Sequence, residues 1–277
     1  MTALPTLSRL SEKDLERLAF EALRDCGLAP EKIRPVPVDL LVERRFGFNE
    51  TYVPLDPGVL GEIRFDIDGP REIRLAEKLG DLDDPSRDIV RRRVLAHECG
   101  HGLAHGPAFA RSLQRLREPH LPGFEPSRIT CREAVLMGDP GELLRSEDGE
   151  ALMEWQADRV MHALLMPRPA VVAFLAPWLR GADDGFSGRQ LPVAAREEAA
   201  HAIAERFEAP LDVARRRLQQ LFPAPIADLF HRPGTPASPP HLTDFRPARH
   251  RPPTRTRRTT RQAKTKQTTK TNNQTTK

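Results

Sequence analysis

A chain of 277 residues with 39% hydrophobic side chains can bury a sizeable core, and its three cysteines (Cys26, Cys99, Cys131) are too few for a disulfide framework, which points to a reducing, cytoplasmic setting. Met1 to Asp14 lacks the apolar stretch of a secretory signal, and the longest apolar run, Ala170 to Leu179, is ten residues broken by Pro177 where a membrane span needs about 20, so no membrane role is expected. The net charge of +4 hides a division between an acidic body, −7 over residues 1–231, and a basic remainder, +11 over 232–277.

Ser11 to Cys26 carries Leu15, Leu18, Ala19, Ala22 and Leu23 at helical spacing, with Ser11 and Asp14 as a capping-box pair and Gly27 as the stop. Val38 to Phe46 predicts a second helix ending at Gly47. Leu60, Ile63, Phe65 and Ile67 come near to alternation. Asp68-Gly69-Pro70 then turns the chain, and Ile73 and Leu75 resume the pattern, which reads as a hairpin in a small antiparallel sheet. Asp84, followed by Pro85, starts the next helix, which runs through Val94 and Leu95 to Gly106, with a helical continuation near Phe109 to Leu116. No internal repeat or phosphate-cradling glycine loop stands in the chain.

Inside that helix stands His97-Glu98-Cys99-Gly100-His101. Histidines at i and i+4 share one helix face, so both imidazoles can reach one ion, while Glu98, about 100° round from His97, can stand beside the metal as a general base. Gly100 on this crowded turn allows another backbone or a substrate to approach closely. His105 extends the row, but eight residues of helix place it about 12 Å along the axis from His97, too far to share an ion with bonds of about 2 Å. It reads as an outer partner of the site, a substrate-facing residue, or a cation at the helix C-terminus. A third ligand is needed. Glu154, on the helix Glu154-Trp155-Gln156-Ala157-Asp158 to Leu164-Leu165-Met166-Pro167, lies on the buried side defined by Ala157, Val160, Met161, Leu164 and Leu165. A carboxylate there is costly unless it is paired or ligating. Asp158, one turn on, can accept a hydrogen bond from a ligating histidine and fix its tautomer.

The run Arg91-Arg92-Arg93-Val94-Leu95-Ala96-His97-Glu98-Cys99-Gly100-His101, with Glu154-Trp155-Gln156-Ala157-Asp158 and Leu164-Leu165-Met166-Pro167 downstream, resembles the ImmA/IrrE family of zinc metallopeptidases. The order of elements from Val38 to Pro167 is similar to that family's, as is the closing segment Phe207 to Leu221. The resemblance implies an α+β, zincin-like fold, mostly helical with a small antiparallel sheet beside the motif helix. It implies Zn2+ as cofactor, His97, His101 and Glu154 as ligands, and Glu98 as catalytic base. Zinc would lower the pKa of a water to roughly 7, and Glu98 would take its proton during attack on a peptide carbonyl. Family members are typically regulatory proteases of repressor-like or antitoxin-like proteins, so selective cleavage of such a protein is the expectation.

Cys99 stands where the family has leucine or isoleucine, Val160-Met161 replaces an aromatic-alanine pair, and the gap from His101 to Glu154 is long for the family. Glu133, Glu142, Glu147 and His120 therefore remain as alternative third ligands. Tyr52, His105, His120 and His162 are candidates to stabilise an oxyanion, and the strands between Tyr52 and Leu75 could bind substrate backbone at a sheet edge. A different reading is a DNA-binding regulator with an inactive or sensory metal site, built on the helices Ala199 to Phe207 and Leu211 to Leu221 joined by Glu208-Ala209-Pro210. The metallopeptidase domain is expected to fill 1–231. Residues 232–277, with twelve Lys and Arg against one acid, seven prolines and twelve threonines, read as a disordered basic tail capable of weak nucleic-acid contact.

Overall fold

Residues 7–80, 84–115, 127–132, 149–181 and 190–223 are described by a computed structural model. Helix α1 (Glu12–Asp25) begins as its sequence predicts: the Ser11 hydroxyl accepts from the Asp14 amide at 3.2 Å, and the Ser11 amide donates back to the Asp14 carboxylate at 3.4 Å. Its Leu15, Ala19, Ala22 and Leu23 are buried. Helix α2 (Val38–Phe46) ends at Gly47, whose φ of 79° is left-handed and suits glycine.

Four strands follow, β1 (Thr51–Val53), β2 (Val59–Asp66), β3 (Gly69–Ala76) and β4 (Ser127–Arg132), in the order β1-β3-β2-β4. The expected hairpin is β2–β3, turned at Gly69 with φ 119°. The sheet as a whole is mixed, which corrects the antiparallel expectation. The chain reverses between β1 and β2 and again between β2 and β3, so β3 lies between them and runs parallel to β1. Strand β4 pairs antiparallel with the other side of β2. One face of the sheet is apolar, with Ile63, Phe65, Ile73, Leu75, Ile129 and Cys131 buried. On the other face Glu62 is paired with Arg64 at 2.8 Å, and Arg74 and Arg128 stand within 3.8 Å.

The apolar face receives α3 (Pro85–Arg115), whose first turn is capped by Asp84 accepting from the Ser86 amide at 2.9 Å. The helix does not stop at Gly106 but passes through Gly106-Pro107 for nine further residues. Proline withholds one amide, but Gly106 presents no Cβ to clash with its ring, and the following turns bury Leu113 and stack Phe109 on Phe65 at 4.4 Å. Helix α4 (Gly149–Leu165) is buried on nearly every side between α3 and α1. Three more helices complete the described fold: α5 (Arg168–Phe174), α6 (Arg196–Phe207) and α7 (Leu211–Leu221). Two buried arginines tie this end to the rest. Arg92 of α3 donates to the carbonyls of Glu208 at 2.7 Å and Val36 at 3.2 Å, and Arg217 of α7 donates to Met166 O at 2.9 Å and pairs with Glu16. No described helix is long and apolar enough to cross a membrane.

Candidate metal centre

Helix α3 presents His97, His101 and His105 in one row, successive ring centroids being 4.8 and 5.2 Å apart. Helix α4 lies across the row, and the two backbones meet at Gly100: a Cβ there would stand 2.5 Å from the Ala157 carbonyl oxygen. That close approach brings Glu154, three residues before Ala157, onto the two histidines. His97 Nε2 is 3.1 Å from Glu154 Oε2 and 3.1 Å from His101 Nε2, and His101 Nε2 is 3.4 Å from Glu154 Oε1. Four donors at 2.0–2.1 Å from a tetrahedral ion would lie about 3.3 Å from one another, so this buried His-His-Glu group has the spacing to hold a metal ion.

The surroundings bear on whether such an ion fits. His97 Nδ1 is 3.1 Å from Asp158 Oδ1, so the proton on Nδ1 is held by the carboxylate and Nε2 is directed inward at Glu154. Converging lone pairs on buried donors are stable only with a cation among them. The charges reflect that demand. Burial opposes charge on His97, but the hydrogen bonds to Asp158 and Glu154 prevail and lift it to about 10. Burial likewise works against the two carboxylates, yet the histidines hold Glu154 and Asp158 below their ordinary values. A proton on His97 thus serves the need that a metal ion would serve.

Glu98 is not one of the converging donors. It is fully buried, both of its carboxylate oxygens lack a hydrogen-bond partner among the described residues, and burial raises it to about 8. It lies over β2 where Gly61 leaves room, since a Cβ on Gly61 would stand 2.8 Å from Glu98 Oε1. Gly61 and Cys131, paired across β2 and β4, were not identified from sequence. A lone glycine inside a strand pattern was the available signal for close approach at Gly61. Cys131 gave none. Its thiol is buried, opposite Gly61 in the sheet, and is pushed up by burial first and then by the charges of Glu98, Glu154 and Asp158. Cys99 is buried too, as a small hydrophobe in the core.

His105 is not a helix-terminal cation, because α3 continues beyond it and burial drives the ring down to about 3. Its Nδ1 lies instead 3.1 Å from His101 Nδ1. Tyr52 and His162 are not brought to the donor cluster by any contact among the described residues. The Tyr52 hydroxyl donates to Glu50 at 3.3 Å, and His162 Nδ1 accepts from Gln220 at 2.6 Å. Of the strands between Tyr52 and Leu75, only β1 is a sheet edge; the edge nearer Glu98 is β4. Glu133, Glu142, Glu147 and His120 lie outside the described residues, as does the basic tail 232–277. The α6–α7 helix pair forms, but Val213, Ala214, Arg217 and Leu218 of α7 are buried and Arg215 is paired with Glu197. Surface grooves of about 370 and 400 Å3 lie around Arg168 and Leu221, lined by none of the centre's residues. No protein-family model and no curated protein matches the chain.

Proposed function

We propose that the chain is a zinc-dependent endopeptidase with a zincin-like core, of the kind the ImmA/IrrE resemblance implies. The observation that carries this reading is the pairing of a buried His-His-Glu group at tetrahedral spacing with an adjacent, fully buried and unpartnered glutamate. A metal centre built for structure alone has no use for a free carboxylate beside it, whereas hydrolysis requires a base there.

His97, His101 and Glu154 would hold the zinc, and Asp158 would orient the His97 imidazole. When bound, zinc supplies Lewis-acid polarisation of a peptide carbonyl and acidifies water. Glu98 would take a proton from the attacking water on a carboxylate oxygen as the new C–O bond forms, and return it to the amine nitrogen as the C–N bond breaks. A cation among the neighbouring donors would draw Glu98 below the value of about 8 that burial imposes, leaving it ionised and able to accept. A repressor-like or antitoxin-like substrate is the class this reading favours.

The test compares zinc-loaded wild type with Glu98→Gln on a library of unstructured peptides, read by mass spectrometry. Cleavage by the wild type, lost in the variant while zinc is retained, supports the proposal. A zinc-bound wild type that cleaves nothing, or a variant that cleaves equally well, refutes it. The DNA-binding reading has less support, since α7 turns much of its sequence into the core.

A further inference from the structure

His101 and His105 are the only described pair of imidazoles that meet nitrogen to nitrogen at their Nδ1 atoms, 3.1 Å apart and both buried. A contact of that length holds one proton, because two facing N–H groups would repel. The proton therefore belongs to one ring or the other, and the choice has a consequence. If His105 keeps it, His101 is protonated on Nε2 and donates toward Glu154, which leaves no lone pair for an ion. If His101 keeps it, Nε2 is free to ligate and His105 accepts through Nδ1 as a neutral ring.

We infer that His105 is the positioning residue for His101: it accepts the Nδ1 proton that commits His101 Nε2 to the metal, so the centre has two unlike outer partners, a carboxylate behind His97 and a neutral imidazole behind His101. The inference rests on the metal-centre reading above and deepens it. The helix supplies the precision, since His97, His101 and His105 recur at every fourth residue of α3 and no loop intervenes. A carboxylate raises the basicity of its histidine more strongly than an imidazole does, so His97 and His101 would be unequal ligands despite their symmetric spacing.

The experiment compares wild type, His105→Phe and His105→Asn. Asparagine places a carbonyl oxygen where the histidine Nδ1 stood, while phenylalanine fills the space without an acceptor. Zinc affinity is read by competition with a chromogenic chelator, and metal-free stability by urea unfolding in chelator. The expected result is a 10- to 100-fold weaker affinity for His105→Phe, with His105→Asn within a few-fold of wild type. Wild-type affinity in His105→Phe overturns the inference, and so does equal weakening in both variants, which would mark a purely structural role. Should His105→Phe fail to fold, nitrogen-15 imidazole spectra of zinc-loaded wild type decide: a proton on His101 Nδ1 supports the assignment, and one on His105 Nδ1 overturns it. A wild type that binds no zinc refutes the metal centre itself, and the inference falls with it.

Discussion

Replacing Gly100 with alanine sets two physical effects against each other. In an exposed helix the change stabilises by about 1 kcal/mol, because glycine is the poorer helix former. In α3 the added Cβ would lie 2.5 Å from the Ala157 carbonyl oxygen, 3.0 Å from its Cα and 3.1 Å from its carbonyl carbon. All three atoms are backbone of α4, so no side-chain rotation relieves the overlap and the helices must part by something on the order of 1 Å. Overpacking of this kind costs about 1–3 kcal/mol. Set against the propensity gain, the expected net effect on the metal-free protein is a loss of roughly 0–2 kcal/mol and no gain.

The same displacement reaches the centre. Gly100 stands between His97 and His101, and Ala157 between Glu154 and Asp158, so parting the helices lengthens the 3.1–3.4 Å separations between Glu154 and the histidines. Zinc affinity should fall 10- to 100-fold, in line with other disturbances that misplace a ligand. Urea unfolding in chelator and competition titration with zinc measure the two effects on one sample. A Gly100→Ala protein that gains stability and binds zinc as wild type does would refute the close-packing argument and the placement of Glu154 that depends on it.

Gly61→Ala should behave differently, since its Cβ would meet side-chain ends, Val94 Cγ1 at 2.7 Å and Glu98 Oε1 at 2.8 Å. Glu98 shifts while the ligands stay, so peptide cleavage should drop at least about tenfold with zinc content unchanged; loss of zinc would contradict this. Glu154→Gln should abolish stoichiometric zinc, close to one ion per chain in wild type, as read by elemental mass spectrometry; retention would return the third-ligand role to another residue. Ser11→Ala removes the α1 cap and should cost about 1 kcal/mol in urea unfolding, with zinc affinity intact. Burial depresses His162 to about 3 from 6.5, so the unfolded chain takes up a proton that the folded chain refuses. Its contribution is constant above pH 6.5 and is lost as pH falls toward 3, by up to about 1.4 kcal/mol per pH unit. Comparing wild type and His162→Gln in urea at pH 7 and pH 5 tests this; equal pH slopes would contradict it.

What could be read from the sequence, and what could not, divides along a physical line. The starts of α1 and α3 were legible because Ser11 with Asp14, and Asp84 with Pro85, act on amides two or three residues away. His97, Glu98 and His101 were legible for the same reason, since one helix sets their spacing. The end of α3 was partly legible: helix to Gly106 and its continuation near Phe109 to Leu116 could be read, but that one helix passes unbroken through Gly106-Pro107 depends on the burial of Leu113 and of Phe109 against Phe65, far off in the chain. Strand β1, three residues long, and β4, with only Ile129 and Cys131 alternating, carry too little pattern to reveal a parallel pairing or a second edge. Glu154 lies between these cases. Its buried side could be inferred from the stripe on its own helix, but its partners could not. Glycine exposes the difference most sharply: Gly100 and Gly61 matter for what is missing at their Cβ, and the reason each is needed is an atom of another element, Ala157 O in one case and Glu98 Oε1 in the other. The chemistry of the centre is therefore written in residues whose spacing is local, while its geometry depends on two absences that acquire meaning only when the chain has folded.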